Sequence, residues 1–144
     1  MLDFRILGPL EVLDGDRPVA LGGPKQRALL VVLLLRRGEV VSRDRLIDEL
    51  WGEQPPASAA KTVQVYVSNL RKALGDGMLL TRGQGCVLQL APGEIDADRV
   101  AANVSEGRAA LEDGDPQQAS DRLREALAQW PSPPLADFAY EPFA

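Results

Sequence analysis

The chain has 144 residues, 45% of them hydrophobic and 26% charged, with a formal net charge of −5; that is ordinary globular composition and length for one or two small domains. It has no histidine and a single cysteine, Cys86, which excludes an internal disulfide, the commonest metal ligand and every Ser-His or Cys-His nucleophile. No metal-ligand spacing occurs, and Gly22-Gly23-Pro24-Lys25 is too short for a phosphate loop, so a non-enzymatic chain without a cofactor is expected.

The opening segment reads as two or three short antiparallel strands. Phe4 and Ile6, then Leu10 and Val12, alternate, with turns at Gly8-Pro9 and Asp14-Gly15-Asp16. The second turn predicts a hairpin between 10–13 and 18–21. Gly22-Gly23 breaks the sheet, and Pro24 suits the first turn of a helix running to about Arg37. Ala28 to Leu35 is the longest apolar run, eight residues. That is too short to span a membrane, and with no signal-peptide pattern a cytoplasmic protein is expected. The helix is apolar around most of its circumference and belongs at the centre of a domain.

Ser42 is a good N-cap for a second helix over 43–50, with Leu46, Ile47 and Leu50 inward. After the loop Trp51 to Pro56, a third helix opens near Ser58. Val63, Val67, Leu70 and Leu74 share one of its faces at i, i+4, i+7 and i+11. The other face carries Lys61, Thr62, Gln64, Val65, Ser68, Asn69, Arg71 and Lys72, with no acid among them. Such a helix buries its first face and can offer its second to a DNA major groove. Gly75-Asp76-Gly77 ends it. Strands over 78–81 and 86–90 then flank the turn Arg82-Gly83-Gln84-Gly85. The order is sheet, three helices, hairpin: helices two and three form a helix-turn-helix, and the hairpin is a wing.

Pro92-Gly93 marks a domain boundary, giving 1–92 and 93–144. A helix over 96–113 carries Val100, Val104 and Leu111. A second, over 117–129, has Ala119, Leu123, Ala126 and Leu127 inward, and Trp130 seals the second domain. One such helical hairpin cannot bury its apolar face alone, so the second domain reads as the start of a longer helical array. Charge divides the same way. Residues 1–90 hold 12 basic and 10 acidic side chains; residues 91–144 hold 4 and 11. The acidity is C-terminal, and the third helix and hairpin are locally positive.

KTVQVYVSNLRKAL resembles the recognition helix of OmpR-type winged-helix transcription factors. FRILGPLEV, GGPKQRALLVVLL, VVSRDRLIDELWG and PPASAAKTVQVYVSNLRKALG together resemble the Streptomyces antibiotic regulatory protein family. EIDADRV, GDPQQASDRLREALAQW and PPLADFAYEPFA resemble the opening of that family's bacterial transcriptional activation domain, built of tetratricopeptide-like helices. The implied architecture is α+β: an OmpR-type winged helix-turn-helix followed by all-α helices. In the wing, Cys86 stands where the family usually has an aromatic, and it reads as a core residue at the wing base.

The resemblance implies an activator that binds double-stranded promoter DNA as a tandem dimer on direct repeats and recruits RNA polymerase through its sigma or alpha subunit. Secondary-metabolite genes are the implied targets, with no membrane role. Lys61, Arg71 and Lys72 are expected on phosphates. Thr62, Gln64, Ser68 and Asn69 are expected at base edges, Gln64 and Asn69 being able to take adenine bidentately, with Val65 against a thymine methyl. Arg82, with Gln84, belongs to the wing contact, and Ser42, Arg43 and Lys25 to backbone anchoring. Trp51, Gly52, Glu53 and Gln54 form the implied polymerase-contact loop. The alternative is a protein-interaction module whose winged helix no longer binds DNA.

Overall fold

The computed structural model describes residues 2–75, 77–91 and 93–128. Asp76, Pro92, the expected helix end at Gln129, Trp130 and the proline-aromatic tail lie outside the described residues. The elements in order are β1 (Leu2–Arg5), β2 (Glu11–Asp14), β3 (Arg17–Pro18), α1 (Pro24–Leu35), β4 (Val41–Ser42), α2 (Arg43–Trp51), α3 (Ala59–Leu74), β5 (Leu79–Arg82), β6 (Gly85–Leu88), α4 (Asp96–Glu112) and α5 (Pro116–Ala128). Packing divides the chain into two compact units. Among the described residues, one is Pro18–Leu90; the other joins those up to Arg17 with those from Ala91 to Ala128. Among the described residues no helix is long and apolar enough to cross a membrane.

In the Pro18–Leu90 unit, α1 is the central rod. Every residue from Ala28 to Leu34 is buried, and Pro24 opens the helix where its missing N–H is harmless. The helix stops at Leu35, two residues before the expected end, because Arg36 and Arg37 turn back onto the carbonyls of Leu33 and Leu34. α1, α2 and α3 pack on one another. Ser42 caps α2 as expected, its Oγ accepting from the Arg45 amide at 3.1 Å. α3 buries Ala59, Val63, Leu70 and Leu74; Val67 is only half-buried.

The sheet of this unit has the order β4-β6-β5, all antiparallel. β4 is two residues long and carries no alternation, so the sequence pattern misses it. It pairs Val41 with Cys86 and Ser42 with Gly85. The approach is close enough to require glycine: a Cβ on Gly85 would lie 2.5 Å from the Val41 carbonyl oxygen.

In the second unit, β1 and β2 pair Phe4 with Val12 and Leu2 with Asp14. β3 adds the third strand of this sheet. It ends at Pro18, short of the expected 18–21, because proline has no N–H to continue a ladder. The Phe4 amide donates to the Glu94 carbonyl at 2.8 Å, and Phe4 bridges Ile95 in parallel. Asp96, only 5% exposed, then accepts from two backbone amides, Ile6 N at 2.9 Å and Leu7 N at 3.0 Å. Arg99, one turn on, pairs with Asp3 at 2.9 Å.

α4 and α5 pack closely through small residues. Gly107 and Ala110 of α4 and Ala119 and Ala126 of α5 are buried. Leu123 and Leu127, expected inward, are instead 40% and 73% exposed. The seam is narrow because small side chains let the backbones approach; Leu123 still packs its Cγ over Gly107, 3.4 Å from where a Cβ there would stand, while Leu127 falls outside the seam. Leu111 also faces outward.

Candidate nucleic-acid interface

The outward surface of α3 is polar and cationic. Lys61, Gln64, Ser68, Asn69 and Lys72 are exposed, while Thr62 and Arg71 are half-buried at its flanks. Val65, 50% exposed, interrupts the polar surface with one apolar contact point. The β5–β6 turn stands beside this helix, with Arg82 and Gln84 exposed at its tip. Gly83 there has φ +59°, which a glycine adopts without strain.

Arg71 joins the two parts. Its Nε donates to the Leu79 carbonyl at 3.1 Å and its Nη2 to Thr81 Oγ1 at 2.7 Å. The guanidinium expected on phosphate is therefore first a strap between α3 and the hairpin. A second tie comes from α2, whose Arg43 amide donates to the Gln84 carbonyl at 3.2 Å. Between α2, α3 and the hairpin lies an open cleft of about 380 Å³, lined by Arg43, Gln64, Arg71 and Gln84 among others. The Arg43 Nε is buried there with no hydrogen-bond partner among the described residues. Arg82 turns its Nη1 onto the neighbouring Thr81 carbonyl at 2.8 Å.

Asn69 is tethered on the opposite flank. Its Nδ2 donates to Gln26 Oε1 at 3.1 Å, and Gln26 Nε2 donates to the Leu21 carbonyl at 2.9 Å. Gln26 was absent from the candidates named by sequence. The available signal was a lone amide on the buried side of an otherwise apolar helix.

Cys86 lies at the base of the hairpin, 3% exposed. Burial pushes its thiol up to about 11, with the Arg71 charge partly opposing. A thiol so protonated is unreactive, in keeping with a core role.

Lys25 turns toward the end of α2. Its Nζ donates to the Leu50 carbonyl at the end of α2 and lies 5.9 Å from the centre of the Trp51 ring. A cation is favourable at a helix C-terminus and over an indole face. This contact holds the half-buried Trp51, while Gly52, Glu53 and Gln54 beyond it are exposed.

The family model for the C-terminal domain of transcriptional regulatory proteins matches residues 16–88, and that for the bacterial transcriptional activator domain matches residues 95–144. The chain is 41% identical to the regulatory protein AfsR of Streptomyces coelicolor, over 94% of this chain and 14% of that protein. It is 40% identical to the transcriptional regulatory protein EmbR of Mycobacterium tuberculosis, over 99% of this chain and 39% of that protein. The solved structure of Mycobacterium tuberculosis EmbR in complex with a low affinity phosphopeptide superposes with a TM-score of 0.93 at 38% identity, over 99% of this chain and 39% of that one. The chain thus spans well under half the length of these relatives. Two family models in this order, with relatives matched along nearly the whole chain, place it in the Streptomyces antibiotic regulatory protein family of transcriptional regulators.

Proposed function

We propose that the chain is the DNA-binding part of a transcriptional activator, with the DNA-binding surface carried within residues 1–92 and 93–144 opening the activation domain. α3 enters the major groove, and the β5–β6 turn touches the adjacent minor groove or backbone. The observation that carries this reading is the acid-free face of α3 strapped to a basic hairpin by Arg71. Lys61, Lys72 and the free edge of Arg71 meet phosphates, joined by Arg82, Arg43 and the capped N-terminus of α2 at Ser42. Thr62, Gln64, Ser68 and Asn69 approach base edges, with Val65 against a thymine methyl. The family membership supports two copies in tandem on promoter direct repeats, recruitment of RNA polymerase (sigma or alpha subunit) through Trp51 to Gln54, and control of secondary-metabolite genes in the cytoplasm at the nucleoid.

The test is selection of sites from a random duplex library, followed by titration at several salt concentrations. Neutralising about four to six phosphates gives a log-log salt slope of about −4 to −5. Lys61→Ala lowers that slope by about one without changing the motif. A flat salt response would sink this reading. It would favour the second one, a protein-interaction module, for which the exposed Leu111, Leu123 and Leu127 of α4 and α5 speak.

A further inference from the structure

The tether on Asn69 carries a statement about specificity that rests on the DNA-binding reading above. We propose that Gln26 orients the Asn69 amide so that this position reads an exocyclic amino group, on adenine or cytosine, and rejects the keto groups of guanine and thymine. The argument begins at Leu21. A backbone carbonyl only accepts, so its 2.9 Å contact with Gln26 fixes the nitrogen end of that amide. Gln26 Oε1 must then face Asn69, and an oxygen there admits only the nitrogen end of the Asn69 amide, at 3.1 Å. The two arms of a planar amide diverge. With Nδ2 held toward α1, Oδ1 is turned away from α1.

The slot is built for this purpose. Gln26 is 9% exposed. It fits because residue 22 has no side chain: a Cβ on Gly22 would lie 2.5 Å from Gln26 Nε2 and 2.8 Å from its Cδ. Gly22 also holds φ +86°, a conformation that favours glycine. Asn69 itself is exposed, next to Ser68 and one turn from Val65 on the outward surface. In the major groove adenine N6 and cytosine N4 donate, whereas guanine O6 and thymine O4 accept. A fixed outward acceptor meets the first pair favourably and repels the second. An untethered amide rotates by half a turn and satisfies either.

The experiment uses the whole chain. Sites are selected from a random duplex library with wild type and Asn69→Ala, and the base pair relaxed by Asn69→Ala is identified. At that position wild type should accept adenine or cytosine on one strand and disfavour guanine and thymine there, by about fivefold to tenfold. Replacing the preferred adenine by purine, which lacks the amino group, should cost wild type the same factor and Asn69→Ala nothing. Gln26→Met should relax the same position while leaving the rest of the motif and the salt slope intact. If Gln26→Met fails to fold, Gly22→Ala, which evicts the amide from its slot, is read in the same way. Four results overturn the proposal: a purine pattern (adenine and guanine alike) at that position; indifference of wild type to loss of the amino group; Asn69→Ala relaxing no position; or Gln26→Met weakening binding equally whichever of the four bases stands at that position, with preference unchanged. Enrichment of no motif by wild type would instead refute the DNA-binding reading on which this one stands.

Discussion

Arg71→Ala separates a strap from a phosphate contact. The side chain makes two hydrogen bonds into β5, at 3.1 Å to the Leu79 carbonyl and 2.7 Å to Thr81 Oγ1. Bonds from a charged donor contribute about 1.5–3 kcal/mol each when buried. Arg71 is half-buried and Thr81 is exposed, so water replaces part of this, leaving about 1–3 kcal/mol for the pair. The loss falls on the hairpin rather than on the helical core. Amides of the β5–β6 ladder should therefore exchange with solvent about 5- to 150-fold faster, while those of α1 are unchanged. Binding to every duplex should weaken, and the salt slope should fall by about one. Arg71→Lys keeps the charge but not the fork. It should restore the salt slope and leave the hairpin exchanging fast. Unchanged exchange in Arg71→Ala, or full recovery of exchange in Arg71→Lys, would refute the strap.

Four further substitutions test the core around the interface. Gly85→Ala drives a Cβ to 2.5 Å from the Val41 carbonyl; the contact is with backbone, so β4 must shift, costing about 1–3 kcal/mol in chemical denaturation. Leu70→Asp places a carboxylate at a fully buried site and should abolish the helical circular-dichroism transition of this unit, whereas Val67→Asp, half-buried and lining the cleft with Arg43 and Arg71, should be much milder. Equal damage from the two would contradict the placement of Val67. Cys86 has its folded-state value raised from 9.0 to about 11 by burial. The neutral thiol is thus favoured by the fold, and its contribution is complete below pH 9 and lost as pH rises toward 11. Urea titrations should show wild type losing roughly 2–3 kcal/mol more than Cys86→Ala across that window. Parallel pH profiles would place the thiol in solvent.

The legible parts of this chain are those whose signal is local. The amphipathic period of α3, the Ser42 cap, the apolar run of α1 and the glycine turn of the hairpin each write their structure into neighbouring residues. Lysines and amides on the outward face of α3 were legible for the same reason. What was hidden depends on distant partners. β4 exists only because Gly85 lets Val41 and Ser42 approach. Arg71 looks like a free cation until β5 is placed beside it, and Asn69 looks like a free amide until Gln26 is. Lys25 looks like an anchor for DNA alone until the C-terminus of α2, which also takes a bond from it, is placed beside it. In α4 and α5, leucine spacing suggested the inward face, but glycine and alanine set the seam.

The first strands raise the question of which residues make a complete DNA-binding unit. The matched regulatory-domain region begins at residue 16, close to the packing division at Arg17 and Pro18. Upstream of it, β1 is held by residues from beyond position 93: Phe4 by Glu94 and Ile95, Ile6 and Leu7 by Asp96, Asp3 by Arg99. A fragment of residues 1–92 keeps β1 and β2 but removes all of these partners, and a short hairpin without a packed face is marginal in water. Its Phe4, Ile6 and Leu7 amides should exchange freely, although the same amides are protected in the whole chain. A fragment of residues 18–90 loses none of the three-helix core or the β4-β6-β5 sheet. It should melt as 1–92 does and bind the selected duplex with an unchanged salt slope. In the whole chain, Asp96→Ala leaves two buried amides without an acceptor, which costs about 1–3 kcal/mol each. That loss should appear in exchange at Ile6 and Leu7 and not in DNA affinity. Protected Ile6 and Leu7 amides in the 1–92 fragment, or a loss of DNA affinity on Asp96→Ala, would instead make the first strands part of the DNA-binding unit itself.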